Sequence, residues 1–145
     1  MPSRSRKATA GLLALLAWVA VARAEAQTLR ATEAHDLVQR GRVILIDIRS
    51  PAEWRRTGLP VGATPVDKAL PLDELIAIVD RLAGHDKTKR LAIICSVGVR
   101  SFEVRADLEV AGYARVIDVF DGVDGNANGP GWLASRLPMQ PWPAR

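Results

Sequence analysis

The stretch that decides the fold reads Leu91-Ala92-Ile93-Ile94-Cys95-Ser96-Val97-Gly98-Val99-Arg100-Ser101. Its opening residues are all apolar, as in a strand that is buried on both faces of a sheet. A compact loop follows, and the chain is predicted to restart as a helix from Ser101. The apolar side of that helix is predicted to consist of Phe102, Val104, Leu108 and Ala111, with Gly112 at its end. Cys95, the only cysteine of the chain, stands where the strand stops.

The loop after this strand is predicted to favour a reactive thiolate at Cys95. A loop bent between a strand and a helix N-terminus points backbone N–H groups inward, and the helix adds about half a positive charge there. A thiolate at the rim of such an anion cradle is stabilised by it. Gly98 permits the tight turn, Arg100 brings a guanidinium, and Ser101 can cap the helix or offer its hydroxyl to the sulfur. The alternative is that Cys95 packs in the core as a small hydrophobic residue.

Three motifs resemble the rhodanese family of sulfurtransferases. The first is Cys95-x-x-Gly98-x-Arg100-Ser101, which is similar to the active-site loop of the family. Another motif resembles the family's strand, Asp-x-Arg turn and short helix, and reads Leu45-Ile46-Asp47-Ile48-Arg49-Ser50-Pro51-Ala52-Glu53-Trp54. The third, similar to its C-terminal signature, comprises Asp121-Gly122, Trp132 and Leu137-Pro138. The resemblance implies a single rhodanese-like domain over residues 29–140, followed by a tail at 141–145.

The resemblance also implies an activity. In this family the loop cysteine takes a sulfane sulfur from a donor as a persulfide and passes it to a nucleophilic acceptor. Catalysis is therefore assigned to Cys95, and substrate binding to the rest of the loop: Ser96, Val97, Gly98, Val99, Arg100 and Ser101. The implied partners are a thiosulfate-like anionic donor and a cyanide or thiol acceptor, which can be a protein thiol; no cofactor is implied. The loop from Cys95 to Arg100 has the sulfurtransferase length, whereas related phosphatases carry one residue more.

Two other functions remain open at this point. One is a persulfide carrier or partner-binding module, in which the loop holds sulfur or docks a protein without fast turnover. The other is a cysteine-dependent phosphatase or arsenate reductase, because a cysteine in an anion cradle binds oxyanions in general. Formation of a persulfide without its efficient release would indicate the carrier or binding module. Hydrolysis of an aryl phosphate would indicate the phosphatase or arsenate reductase.

The N-terminal segment is predicted to be a secretory signal peptide over residues 1–24. Arg4, Arg6 and Lys7 precede an apolar run, and two small-residue cleavage patterns end at Ala24 and Ala26. An uncleaved membrane anchor is the alternative, although the run is short for a span of about 20 residues. The segment carries four basic residues and no acidic one. The net charge of +4 therefore belongs to the precursor and does not indicate nucleic-acid binding.

The signal peptide implies a periplasmic or secreted protein without a membrane association after cleavage. Such a compartment is oxidising, yet a single cysteine cannot form an internal disulfide. An odd cysteine in an exported protein is a free reactive thiol or an intermolecular partner. The cysteine content therefore agrees with a chemical role for Cys95.

Strands and helices are predicted to alternate along the chain. Thr32 can cap a helix from Glu33 to Arg40, and the apolar runs 43–48 and 116–120 are typical of buried strands. A short edge strand is predicted at 64–66 and an amphipathic helix at 71–83. Ser50 and Glu53 form a capping box. The alternation predicts an α/β domain whose mostly parallel sheet has helices on both faces. The charged residues Asp47, Arg49 and Glu53 are expected to pair with one another and fix a turn.

No metal site is predicted. His35 and His85 have no metal-ligand partner at i+3 or i+4. The stretch Asp124–Gly129 has the residue spacing of the first half of a calcium-binding loop. The twelfth position of such a loop carries an acidic residue that binds the ion with both oxygens, but here it is Ser135. We expect a Gly/Asn-rich loop beside the mouth of the site instead, and we expect Trp132 to pack over the domain.

Overall fold

Strands and helices alternate along residues 27–142, the part of the chain that the computed structural model describes. The strands are β1 (Thr28–Leu29), β2 (Ile44–Asp47), β3 (Leu59–Pro60), β4 (Ala63–Pro65), β5 (Leu91–Ile94), β6 (Val116–Val119) and β7 (Met139–Gln140). The helices are α1 (Ala31–Gln39), α2 (Pro51–Thr57), α3 (Leu72–Leu82), α4 (Val99–Val110) and α5 (Gly131–Ala134). The signal-peptide prediction falls outside these residues, as does most of the predicted tail.

Five strands form a parallel sheet in the order β1-β6-β5-β2-β4, so the cysteine strand β5 is central. One face is covered by α3 and α4, whose Leu75, Val79, Val104 and Leu108 are buried. The other face is covered by α1 and α5, through Ala31, Ala34 and Trp132. The predicted α/β architecture, with a parallel sheet between two layers of helices, is confirmed. Because all five strands run the same way, their carboxyl ends meet at one edge of the sheet.

Distant contacts explain why helix α1 starts earlier than predicted. It begins at Ala31 rather than Glu33 because the Asp121 carboxylate accepts the Ala31 N–H at 2.7 Å. This acceptor lies 90 residues away in the chain, whereas Thr32 was the local cap candidate. The preceding strand β1 was not predicted either, since its two residues show no pattern and pair with β6 only in the folded sheet.

The C-terminal region contributes one strand to a second, two-stranded sheet. Strand β7 pairs antiparallel with β3, with Leu59 opposite Gln140. Trp132 is completely buried, and its indole N–H donates to the Pro138 carbonyl at 3.0 Å. The prediction that Trp132 packs over the domain is therefore confirmed. Phe102, in contrast, was predicted in the core but is 55 % exposed, because it lies two residues before Val104 and faces away from the sheet.

Helix α2 begins as its capping box predicts. The Ser50 hydroxyl accepts the Glu53 N–H at 3.3 Å, and the Glu53 carboxylate accepts the Ser50 N–H at 2.9 Å. This helix carries Glu53 to the same edge of the sheet as Cys95. Among residues 27–142, no helix is long and apolar enough to cross a membrane.

Candidate active site

Cys95 lies directly beyond the carboxyl end of the central strand β5. Its side chain is completely buried, and its Sγ atom lies 3.3 Å from the Ser101 hydroxyl oxygen. The backbone N–H of Gly98 points at the same sulfur, with 3.1 Å between N and Sγ. The sulfur therefore lies beneath the loop rather than at its rim, where the sequence predicted it. Both contacts are of the kind that stabilises a thiolate.

The loop turns into helix α4 two residues earlier than predicted. Gly98 has φ of 86° and immediately precedes Val99, the first helical residue. The first N–H groups of a helix have no partner within it, so those of α4 point back toward the loop. Ser101 lies inside the first turn and does not cap the helix, whereas its predicted contact with the sulfur is present. The side chains of Val97 and Val99 are 43 % and 62 % exposed and form the outer surface of the loop.

The Arg100 guanidinium is held by Glu53 of α2 in a two-point ion pair. Its Nη1 and Nη2 atoms donate to the two carboxylate oxygens of Glu53 at 2.9 and 2.6 Å. Hydrogen bonding from Arg100, outweighing the cost of burial, lowers the pKa of Glu53 to about 2. The expectation that Glu53 pairs with Asp47 and Arg49 is wrong. The capping box orients the Glu53 carboxylate toward Arg100 of the cysteine loop, which lies 47 residues away in the sequence.

Asp47 and Arg49 do pair with each other, as predicted, and both are completely buried. Arg49 Nη2 lies 2.7 Å from Asp47 Oδ2, and Arg49 Nε donates to Asp47 Oδ1 at 3.0 Å. The remaining donors reach the Thr57 hydroxyl at 2.8 Å and the Gly58 carbonyl at 2.9 Å. Arg49 therefore ties the C-terminal end of α2 to the end of β2 and helps to fix the orientation of the helix that carries Glu53.

The Asp121-Gly122 motif packs against the backbone of the cysteine loop. The N–H groups of Val123 and Asp124 donate to the carbonyls of Cys95 and Ser96, each at 2.9 Å. A Cβ atom on Gly122 would collide with those same two carbonyl oxygens. The glycine is therefore required by the close approach of two backbone segments.

The loop Asp124–Gly129 lies against the cysteine loop, as expected. The side-chain amide of Asn126 donates to the carbonyls of Val97 and Phe120 at 3.0 and 2.7 Å. The Ser96 hydroxyl hydrogen-bonds to the Asp124 carboxylate, which Arg56 also approaches at 3.6 Å. Asp124 and Asn126 thus support the active-site loop through side-chain hydrogen bonds, which the sequence pattern did not predict.

Comparisons with known proteins agree with this geometry. The family profile described as Rhodanese-like domain matches residues 30–126. The chain belongs to the rhodanese-like domain family. It is 36 % identical over 81 residues to a sulfurtransferase from Allochromatium vinosum, covering 56 % of this chain and 68 % of that relative. It is 28 % identical over 125 residues to an uncharacterized protein from Rickettsia conorii, covering 79 % of this chain and 97 % of that relative.

A solved structure shows the same fold. A crystal structure of a protein from M. tuberculosis superposes with a TM-score of 0.61 at 27 % sequence identity. The match covers 78 % of this chain and 96 % of that chain. The single-domain rhodanese-like fold that the motifs implied is thereby confirmed.

The histidines of this rhodanese-like domain have neighbours other than the cysteine. His35 packs edge-on against Trp132, with ring centroids 5.4 Å apart, and His85 Nδ1 lies 2.6 Å from Asp80 Oδ2. Within residues 27–142 no group of three or more His, Cys, Asp or Glu side chains could hold a metal ion. Asp118, a buried acid opposite Ile93 of β5, was not singled out by the sequence analysis. Its signal was an acid inside the otherwise apolar run 116–120.

A cavity of about 900 Å³ lies at the opposite end of the sheet. Its lining includes Arg42, Arg90 and Arg115, which precede β2, β5 and β6. Parallel sheets of this kind place their chemistry at the carboxyl ends of the strands, where Cys95 lies. The cavity is therefore separate from the candidate active site.

Gly98 is the position of the loop at which substitution by alanine is expected to be most disruptive. Its positive φ costs an alanine about 1 kcal/mol, and a Cβ there would collide with the Phe120 carbonyl. Gly98→Ala is expected to lower the free energy of unfolding by about 2–4 kcal/mol, because both strain and overpacking act. Denaturant unfolding measures the change.

Gly112→Ala is the matched control for this substitution. Gly112 has φ of 96°, but nothing lies within 4 Å of a Cβ placed there. The control therefore carries the backbone strain without the collision, and is expected to lose only about 1 kcal/mol. Equal losses in the two variants would contradict the close packing of the loop against Phe120.

Proposed function

We propose that this rhodanese-like domain is a sulfurtransferase that works through a persulfide on Cys95. The donor is an anion of the thiosulfate class, and the acceptor is cyanide or a thiol. The single observation that carries the proposal is the environment of the sulfur, where the Gly98 N–H and the Ser101 hydroxyl converge on Sγ at the start of a helix. The sulfurtransferase name of the relative from Allochromatium vinosum supports the same class of reaction.

The proposed reaction has two steps. The Cys95 thiolate attacks the outer sulfur of thiosulfate, a new S–S bond forms, and the S–S bond of thiosulfate breaks as sulfite leaves with the electron pair. An acceptor nucleophile then attacks the outer sulfur of the persulfide and leaves with it, which regenerates the thiolate. The helix-start N–H groups hold the donor and then the anionic persulfide sulfur. No cofactor takes part.

Intact-mass spectrometry of the reduced protein tests the proposal. Incubation with thiosulfate is expected to add one sulfur atom to the protein and to release one equivalent of sulfite. Later addition of cyanide is expected to remove that sulfur as thiocyanate. The absence of any sulfur gain, with a correctly folded protein, would contradict persulfide chemistry at this loop.

Arg100 is expected to matter for the donor more than for folding. Arg100→Ala removes the cation beside the loop and leaves the Glu53 carboxylate unpaired, so the donor KM is expected to rise about 10-fold or more. Glu53→Gln is the matched variant, because it removes the negative partner and keeps the guanidinium. It is expected to retain donor binding. Steady-state kinetics with thiosulfate, together with thermal unfolding, separates the two effects, and unchanged donor kinetics in Arg100→Ala would refute this role.

A persulfide carrier is the second candidate function, favoured by the burial of the nucleophile. Cys95 has no exposed surface, while Val97 and Val99 of the same loop are exposed. An apolar rim of this kind suits a protein thiol acceptor better than a small hydrophilic one. A carrier forms the persulfide but passes it slowly to cyanide. The cyanide step of the mass experiment therefore distinguishes the two functions.

The proposal includes export to the periplasm or the outside of the cell. It rests on the basic, apolar and small-residue pattern of residues 1–24. Cleavage after Ala24 or Ala26, read from the mass of the mature protein, is the corresponding test.

A further inference from the structure

The cavity at the end of the sheet opposite Cys95 is strongly basic. It has a volume of about 900 Å³, which is within the usual range of small-molecule sites. Its lining contains five basic residues and one acidic residue: Arg40, Arg42, Lys89, Arg90, Arg115 and Asp86. The chain beyond residue 24 is balanced in charge, so this lining is a local excess of positive charge.

The carboxylate of Asp86 is engaged by its own loop. Its Oδ1 atom accepts hydrogen bonds from the Thr88 N–H at 2.8 Å and from the Thr88 hydroxyl at 2.6 Å. These hydrogen bonds hold the pKa of Asp86 below its usual range, and the charge of Lys89 lowers it further. The one acid of the lining is therefore ionised near neutral pH, and the partners that stabilise it are Thr88 and Lys89.

Three arginines of the lining have no carboxylate partner among the described residues. No ion pair within 4.0 Å in residues 27–142 includes Arg40, Arg42 or Arg90. The Nε atom of Arg90 is buried, and it has no hydrogen-bond partner in this part of the chain. A buried donor without an acceptor costs free energy, whereas an anion bound beside this guanidinium would supply acceptors.

The register of the sheet brings two of these arginines to the start of neighbouring strands. Ile44 of β2 pairs with Leu91 of β5, and the Ile44 N–H donates to the Arg90 carbonyl at 3.0 Å. Arg42 lies two residues before Ile44, so Arg42 and Arg90 enter the sheet side by side. Like charges on adjacent strands repel each other, and an anion between them would remove this repulsion.

Stabilisation of helix ends explains only part of this positive charge. Helices α1 and α3 both end at the cavity, because Leu37 and Leu82 of their last turns belong to its lining. Each helix C-terminus carries about half a negative charge, so the two ends together offset about one cation. The lining holds five basic residues, which exceeds what the helix ends and Asp86 neutralise.

We propose that this cavity is a second anion site of the domain and binds a small oligophosphate. Arginine guanidinium groups bind phosphate oxygens through two parallel hydrogen bonds. Several cations around one space favour a ligand with several negative charges over a single small anion. Among the described residues the lining has no aromatic side chain on which a nucleobase could stack, so the phosphate chain itself is the recognised group. The binding is independent of the sulfur chemistry proposed for Cys95.

Isothermal titration calorimetry with sodium triphosphate tests the proposal. Divalent cations are left out, and sodium chloride keeps the ionic strength constant. The wild-type protein is expected to bind triphosphate saturably and more tightly than orthophosphate. Arg42→Gln and Arg90→Gln are each expected to raise the Kd for triphosphate about 10-fold, because each removes a charged donor. Arg42 is exposed, so its variant keeps the test valid even if Arg90→Gln does not fold.

Two control variants separate this site from other sources of positive charge. Arg81→Gln removes an exposed cation of α3 that lies outside the lining, and it is expected to change the Kd less than about 2-fold. Arg100→Ala removes the cation of the cysteine loop and is expected to leave triphosphate binding in place. The absence of saturable binding by the wild type would overturn the proposal. Equal weakening by Arg81→Gln and Arg42→Gln, or loss of binding only in Arg100→Ala, would also overturn it.

Discussion

Replacing Cys95 by serine is expected to abolish sulfur transfer. Serine is close in size and can occupy the same buried site, but its hydroxyl is a far weaker nucleophile at neutral pH than a thiolate. The rate of sulfite release from thiosulfate is therefore expected to fall on the order of 10³-fold or more. In the intact-mass experiment, the gain of one sulfur atom is expected to disappear completely.

Two controls make this result specific. Circular dichroism and thermal unfolding of Cys95→Ser show whether the fold is kept, which matters because Cys95 belongs to the buried core. Ser96→Ala removes a hydroxyl from the neighbouring position, where it hydrogen-bonds to Asp124, and leaves the sulfur in place. It is expected to retain sulfur loading. A sulfur gain that persists in folded Cys95→Ser protein would refute the persulfide assignment.

The second large effect is expected on stability, from breaking the buried ion pair between Arg49 and Asp47. Both side chains are completely buried, and Arg49 also bonds to Thr57 and Gly58. Arg49→Met leaves the Asp47 carboxylate without its partner in the interior. Removal of one partner from a buried pair costs about 3–5 kcal/mol, and this loss is expected in the free energy of unfolding.

A surface ion pair provides the comparison. Lys68 lies 2.7 Å from Glu103, a distance equal to that of the buried pair, but its side chain and that of Glu103 are 31 % and 53 % exposed. Lys68→Ala is expected to cost less than about 1 kcal/mol, because solvent screens the pair. Denaturant unfolding of both variants gives the two values. A similar small loss in both would mean that Arg49 does not hold α2 in place.

Local patterns in the sequence were sufficient for much of the fold. The apolar runs before Asp47, Cys95 and Phe120 indicated buried strands, and β2, β5 and β6 are found there. The capping box at Ser50 and Glu53 depends only on residues three apart, and it forms as predicted. Such features are visible in the sequence because the interacting groups are neighbours in the chain.

The short strands could not be predicted for the opposite reason. Strands β1, β3 and β7 have only two residues each, too few for a hydrophobic period. They are strands only because the folded chain brings a partner beside them. The start of α1 is set in the same way by the carboxylate of Asp121.

The sequence by itself determined the α/β class, the cysteine loop and its place after a buried strand, because periodicity, glycine and charge act locally. Only the tertiary structure decided which side chains meet at that loop. It paired Arg100 with Glu53, placed Asn126 against the Val97 carbonyl and set Asp118 of β6 opposite Ile93 of β5. These partners come from different helices, loops and strands. Their contacts depend on the parallel sheet, whose strands end at one edge and so bring residues distant in sequence around one sulfur atom.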